Sequence, residues 1–307
     1  MKAYGETLRQ IREQKGLTMK ELADGICSIS FLSKFERGDS DMTLGLFTDI
    51  LEKMMMSFDE FLFVHNEFQS SQLEQFFRAV HNAYTQGDSD ALRKLKQQQT
   101  KKWQQFGVET YQYHVLMLHM YEGILDNKRM DEEVTKEDIQ RLADYFFRIE
   151  VWGLYEFMLY NATLFFLEPE TVLLLSRTAY EKSIRYKDFQ KVNDVITTIL
   201  MNSITYLLGP VTDFTHDTRF QTELNEFFSY LHKLSLPEHK LFERANLLQL
   251  KGAYKLRLGE TEQGITKIRK SIYLFRELGA VGQAKRIENY LELILVYQEP
   301  GSLSTRQ

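Results

Sequence analysis

The sequence predicts an all-α protein: five short N-terminal helices, then a long array of paired helices. Three observations carry this. The only prolines are Pro169, Pro210, Pro237 and Pro300, so the first 168 residues contain none. Sixteen glycines in 307 residues leave too few turn signals for a sandwich or barrel. Apolar residues also recur at helical spacing along most of the chain. A hydrophobic content of 43% with 26% charged residues excludes a disordered or collagen-like chain. The length suits two domains, expected over 1–65 and 66–307.

The first helix runs from Tyr4 to Gln14, with Leu8 and Ile11 on one side, Arg9 and Arg12 on another, and Gly16 as its stop. Thr18-Met19-Lys20-Glu21 is a capping box that starts the second, whose buried side is Leu22 and Ala23. Gly25 sits in a tight connection to a third helix, capped by Ser28 or Ser30 and ending at Arg37-Gly38. Leu46, Ile50, Leu51 and Met54 mark a fourth helix, and Phe58, Phe61 and Leu62 a fifth. From residue 64, helix follows helix, with breaks at Gly87-Asp88, Gly107, Asp126-Asn127, Pro169, Gly209-Pro210, Pro237, Gly259 and Gly279. Each pair in such an array buries its apolar stripe against its neighbours. Gly252, Gly259, Gly264 and Ser271 put small residues at spacings of 7, 5 and 7, as in a degenerate tetratricopeptide repeat. An irregular helical bundle is the alternative.

Charge is unevenly distributed. The whole chain carries a net -5, yet residues 1–37 hold seven cations against five anions. Residues 38–63 hold Lys53 alone against six carboxylates. Such a step inside one small unit predicts a face that meets an anionic partner. The second and third helices form a helix-turn-helix, or else a generic helical hairpin. The pattern Leu8-Arg9-x-x-Arg12, Leu17-Thr18-x-x-Glu21-Leu22-Ala23 and Leu32-Ser33-Lys34-Phe35-Glu36-Arg37-Gly38 decides between them. It resembles the Cro/phage-repressor-like helix-turn-helix, whose second helix enters the DNA major groove.

The combination with a helical array resembles the Rgg family of bacterial peptide-pheromone receptors. The resemblance rests on those blocks, on Phe58-Asp59-Glu60-Phe61, and above all on Ile149-Glu150-Val151-Trp152-Gly153-Leu154-Tyr155-Glu156. Ile199-Leu200-Met201-Asn202 and Gly252-Ala253-Tyr254-Lys255-Leu256 extend it over nearly the whole chain. It implies a cytoplasmic homodimer that binds promoter DNA and takes a short hydrophobic peptide on the concave face of its repeats. Some members carry a cysteine shortly after the Glu-Arg-Gly segment that joins two DNA-binding domains. Asp41-Met42-Thr43-Leu44-Gly45 has none, so that link is not expected here. The alternative keeps the DNA-binding domain and makes the array a protein-docking scaffold without a peptide ligand.

Candidate site residues follow. Ile29, Ser30, Ser33, Lys34 and Arg37 lie on or near the outer face of the third helix, where they would contact DNA. Arg9, Arg12, Thr18 and Lys20 are candidates for phosphate contact, which positions a domain without reading sequence. For the peptide, Asn161, Asn193, Asn202 and Asn225 offer amides that both donate and accept toward a backbone, with Asn202 the strongest because it lies in a family-like segment. Phe77, His81 and Tyr84 are expected at the groove entrance. The C-terminal apolar residues Tyr273, Leu274, Phe275, Tyr290, Leu291, Leu293, Ile294, Leu295 and Val296 exceed one inward face and predict a two-fold interface.

Other functions find little support. The single cysteine, Cys27, rules out an internal disulfide and a thiolate zinc site; it reads as a small buried turn residue, with a redox switch at the start of the third helix as the alternative. His114 and His119 are five apart, and none of the seven histidines has metal-ligand spacing. No nucleophile–base constellation is present, so neither an enzyme nor a cofactor is expected. The first residues lack a signal-peptide pattern, and no run of about 18 apolar residues offers a membrane span. A cytoplasmic protein with no membrane partner is the expectation.

Overall fold

The computed structural model describes residues 3–126, 134–209 and 219–298, which form sixteen α-helices and no strand. The chain divides into two compact units, Met1–Asn82 and Ala83–Gln307. Helix α6 (Gln72–Gln86) spans the division.

The first unit contains α1 (Tyr4–Gln14), α2 (Met19–Ala23), α3 (Ile29–Arg37), α4 (Leu44–Lys53) and α5 (Phe58–His65). Each of the last four begins on a hydroxyl cap: Thr18, Ser28, Thr43 and Ser57 each accept from a backbone N–H one turn in. Thr18 and Glu21 complete the expected capping box. Ser28, not Ser30, caps α3, and Gly38 ends it at φ +81, a conformation that glycine adopts without strain. Leu8, Leu22, Leu32, Ile50 and Phe61 are fully enclosed at the centre. Helices α1 and α3 approach so closely at Gly5 that a Cβ there would lie 1.8 Å from the Phe35 carbonyl oxygen.

In the second unit α7 (Ser89–Phe106) packs on α8 (Glu109–Leu125), α9 (Lys136–Arg148) touches α11 (Pro169–Ser183), and α12 (Gln190–Leu208) packs on both α10 (Leu154–Thr163) and α11. The unit ends with α13 (Gln221–Lys233), α14 (Leu241–Arg257), α15 (Thr261–Glu277) and α16 (Val281–Gln298). Three interruptions were not expected. After α5 the chain turns at Glu67 and Phe68, both at positive φ, without any Gly or Pro to mark it. Between α9 and α10 the chain breaks so that Trp152 reaches a fully buried site, donating its indole N–H to the Phe146 carbonyl at 3.1 Å. Glu156 then accepts the Gly153 N–H (2.7 Å) and the Tyr145 hydroxyl (2.7 Å), which restarts the helix. Before α12 a single tight turn, Ile184–Tyr186, directs the Tyr186 hydroxyl to the Trp152 carbonyl at 2.7 Å. The Trp152–Glu156 segment is therefore a packing hub. Asn127 and Pro210, at two of the expected breaks, lie outside the described residues.

The repeat signature has a direct structural meaning. A Cβ on Gly252 or Gly264 would lie 2.8 Å from the other's carbonyl oxygen, so α14 and α15 touch backbone to backbone. Gly259 turns the chain between them at φ +77, and the buried Ser271 hydroxyl donates to the Ala245 carbonyl at 2.8 Å.

Candidate nucleic-acid interface and ligand cleft

Leu32 and Phe35 hold α3 in the core, which leaves Ile29, Ser30, Lys34 and Arg37 exposed and Ser33 half-buried on the opposite side. The expected face is thus assembled on one helix. Arg37 donates to Asp39 (2.7 Å) and to the Ser33 hydroxyl (2.6 Å), rather than pairing with its neighbour Glu36. Lys34 is exposed and has no side-chain partner among the described residues. Thr18 and Lys20 are exposed at the start of α2, although Glu21 already takes the Thr18 N–H. Arg9 is exposed on α1 and pairs with Glu13 at 2.9 Å.

Arg12 departs from expectation. Its side chain is 7% exposed and donates to both oxygens of Glu36, at 2.7 and 2.9 Å, and to the Leu17 carbonyl at 2.8 Å. A guanidinium turned inward and fully engaged does not reach a phosphate, so Arg12 leaves the candidate surface. It braces α1 against α3 instead, and hydrogen bonding to Glu36 raises its pKa further. Cys27 is half-buried, and burial pushes its thiol pKa up, which works against a reactive thiolate.

In the second unit a cleft of ≈ 530 Å³ opens between α12, α14 and α16. Each helix contributes residues at helical spacing: Thr198, Met201, Asn202 and Thr205 from α12; Asn246, Gln249 and Leu250 from α14; Gln283, Arg286, Ile287 and Tyr290 from α16. The lining is an apolar floor with amide side chains along it. Gln283 donates to the Asn246 side-chain oxygen Oδ1 at 2.9 Å, which leaves its own Oε1 buried without a partner among the described residues. Asn202 donates to Asn161 on α10 at 3.0 Å.

The four asparagines therefore separate. Asn202 lines this cleft and Asn161 stands behind it. Asn193 lines a neighbouring hollow of ≈ 470 Å³ and donates to the Lys187 carbonyl at 2.7 Å. Asn225 is exposed on α13 and accepts the Tyr254 hydroxyl at 3.1 Å. Phe77 and His81 belong to the first compact unit and Tyr84 to the second, where its ring packs 4.8 Å from Tyr121. Sequence reasoning missed Asn246, Gln249 and Gln283. Their signal was present as amides at i, i+3 spacing on α14 and facing them from α16, but only tertiary structure brings the two helices together.

Two family models match the chain. One, described as Helix-turn-helix, covers residues 8–61. The other, described as HTH-type transcriptional regulator Rgg, C-terminal domain, covers residues 92–289, well over half of the protein. The chain belongs to the Rgg family. It is accordingly a helix-turn-helix, DNA-binding transcriptional regulator and not an enzyme. Among solved structures, a protein from Listeria monocytogenes EGD-e assigned to transcriptional regulation has 23% identity and a TM-score of 0.79, over 95% of this chain and 97% of that one. The Streptococcus dysgalactiae SHP pheromone receptor Rgg2 has 22% identity and a TM-score of 0.74, over 94% and 99%. A bacterial peptide pheromone–receptor complex has 15% identity and a TM-score of 0.67, over 95% and 98%. At these identities the likeness is one of fold. Among the described residues of this Rgg-family chain, no helix is long and apolar enough to cross a membrane. No group of three metal-binding side chains converges among them either.

Proposed function

We propose that this regulator works as a cytoplasmic homodimer whose DNA binding answers to a short hydrophobic peptide held between α12, α14 and α16. The observation that carries the reading is the amide-lined cleft, with Asn202, Asn246, Gln249 and Gln283 set along an apolar floor. An extended peptide leaves water with unpaired backbone groups, each costing about 1–3 kcal/mol when unmet. Amides both donate and accept, so they suit that task whatever the peptide's side chains. The unpartnered Gln283 Oε1 is an acceptor suited to such an N–H. Solved pheromone receptors of the same fold support the reading by analogy. A bound peptide would join three helices that alternate along the array and so bias its curvature. DNA affinity then shifts only by the peptide's differential affinity for the two arrangements.

The test uses full-length protein and a synthetic pool of apolar octapeptides, with retained peptides identified by mass spectrometry. Wild type should retain a subset with Kd in the micromolar range or tighter, and Asn202→Ala should lose it while melting as wild type does. Retention unchanged in the variant would exclude Asn202. No retention by wild type would favour a protein-docking scaffold.

A further inference from the structure

Helix α12 presents one row of residues to two neighbouring cavities. Gln190, Asn193, Asp194 and Thr197 line the hollow of ≈ 470 Å³, and the row from Thr198 to Thr205 lines the cleft of ≈ 530 Å³. Glu243 of α14 lines both, so it stands at their boundary. An ion bridge crosses from α12 to α14 there. Lys240 Nζ donates to Asp194 Oδ1 at 2.7 Å and lies 3.5 Å from Glu243 Oε1. Gln190 donates to the same Asp194 oxygen at 2.7 Å, which steadies the α12 end of the bridge. Beyond it the hollow repeats the chemistry of the cleft, with Leu234, Leu236 and Pro237 as apolar lining and Asn193 supplying an amide.

Length decides how the two cavities relate. The stretch of α12 from Thr198 to Thr205 is about 10 Å long at 1.5 Å per residue. An extended peptide advances about 3.3 Å per residue, so about four residues fill that stretch. Eight residues need about 23 Å, and the full row from Gln190 to Thr205 offers about 22 Å. We propose that the two cavities are successive chambers of one peptide groove, and that Lys240 is the residue that sets how long a ligand the groove accepts. This rests on the peptide reading of the cleft given above. A short ligand occupies the cleft with the bridge intact. A longer one has to swing the Lys240 side chain aside and run on past Glu243 toward Gln190. With Lys240 22% and Asp194 45% exposed, the bridge is open enough to water to yield, and salt weakens it further. That cost falls on long ligands alone.

The probes are apolar octapeptides without charged side chains, acetylated and amidated so that no charge of their own responds to salt. Tetrapeptides cut from each retained sequence serve as the short ligands. Full-length wild type should bind the octapeptides about threefold more tightly as salt rises from about 0.05 to about 0.5 M. Lys240→Met keeps the stem and removes the charge. It should bind them about threefold more tightly than wild type at low salt and lose the salt response. Gln190→Trp fills the hollow from an exposed position and should weaken them about tenfold. Tetrapeptides should respond to none of these changes. The two variants move octapeptide affinity in opposite directions, a pattern that general destabilisation does not produce. Octapeptide affinity that ignores Gln190→Trp, or that ignores both salt and Lys240→Met, would overturn the proposal. If octapeptides are lost in Asn202→Ala yet ignore both variants, the peptide reading stands and the second chamber falls. If wild type retains no octapeptide, both fall.

Discussion

Truncating Arg12 to alanine removes a guanidinium that serves Glu36 and the Leu17 carbonyl at once, and strands a buried carboxylate. Breaking a buried pair in this way costs about 3–5 kcal/mol. Arg12→Ala should therefore lower the denaturant midpoint of the N-terminal unit, whereas Lys34→Ala should leave it unchanged. Lys34→Ala should instead weaken specific DNA binding by about 1–3 kcal/mol if it meets a base edge, or affinity for all duplexes if it meets phosphate. Gel shifts with specific and scrambled duplexes distinguish these outcomes, and unchanged affinity for both would remove Lys34 from the interface. His114 sets a pH limit of its own. Its ring is buried between α7 and α8 beside Gln99, Tyr111 and Tyr155, with Lys102 adding repulsion, and its pKa falls from 6.5 to about 4. Below pH 6.5 the unfolded chain binds a proton that the folded chain refuses, so stability falls as pH drops toward 4. The unfolding constant should rise by up to about tenfold per pH unit in that window. His114→Gln should flatten the slope; an unchanged slope would assign the acid sensitivity to other groups.

At the scale of elements, α14 and α15 meet backbone to backbone. Gly252→Ala would place a Cβ 2.7 Å from the Ile268 side chain and 2.8 Å from the Gly264 carbonyl oxygen. Neither backbone has room to retreat, so a loss of about 1–3 kcal/mol is expected. Gly282→Ala, with nothing within 4 Å of the new methyl, should be neutral or stabilising by up to about 1 kcal/mol. Thermal melts of the two variants check the contrast, and equal melting temperatures would contradict close packing at this crossing. This joint was legible because small residues at fixed spacing leave a local trace. The Thr18 capping box and the outer face of α3 were legible from local spacing too, whereas the Thr43 and Ser57 caps went unread. The break at Trp152 was not, since its cause is a buried indole paired with a carbonyl six residues earlier. Arg12 misled because an arginine beside Arg9 looks exposed until Glu36, 24 residues on, turns it inward. The cleft needed α12, α14 and α16 together, and no window of sequence contains them.

For the whole molecule, we expect assembly and DNA binding to be linked. The first 37 residues carry only a small excess of positive charge in a chain of net -5, a weak anchor for a single copy. Two copies double the phosphate contacts and read two half-sites. Of the C-terminal apolar residues, Phe275, Leu291 and Ile294 are buried within the unit, while Tyr273 and Leu293 remain 61% and 51% exposed. A two-fold interface built on that exposed pair is our expectation, and sedimentation at micromolar concentration should return twice the 36.3 kDa chain mass. A monomer would argue against it, and Leu293→Glu should shift a dimer toward monomer.

If the proposed peptide binds, the bond from Asn202 to Asn161 would make its entry an exchange reaction. A peptide that takes the Asn202 amide must break an existing link between α10 and α12, so one hydrogen bond replaces another and the heat from that contact nearly cancels. Apolar burial would then leave the larger calorimetric trace, as a negative heat-capacity change. The released Asn161 Oδ1 would fall to water, and α10, which follows directly from the Trp152 hub, would be the first helix to register that the cleft is occupied.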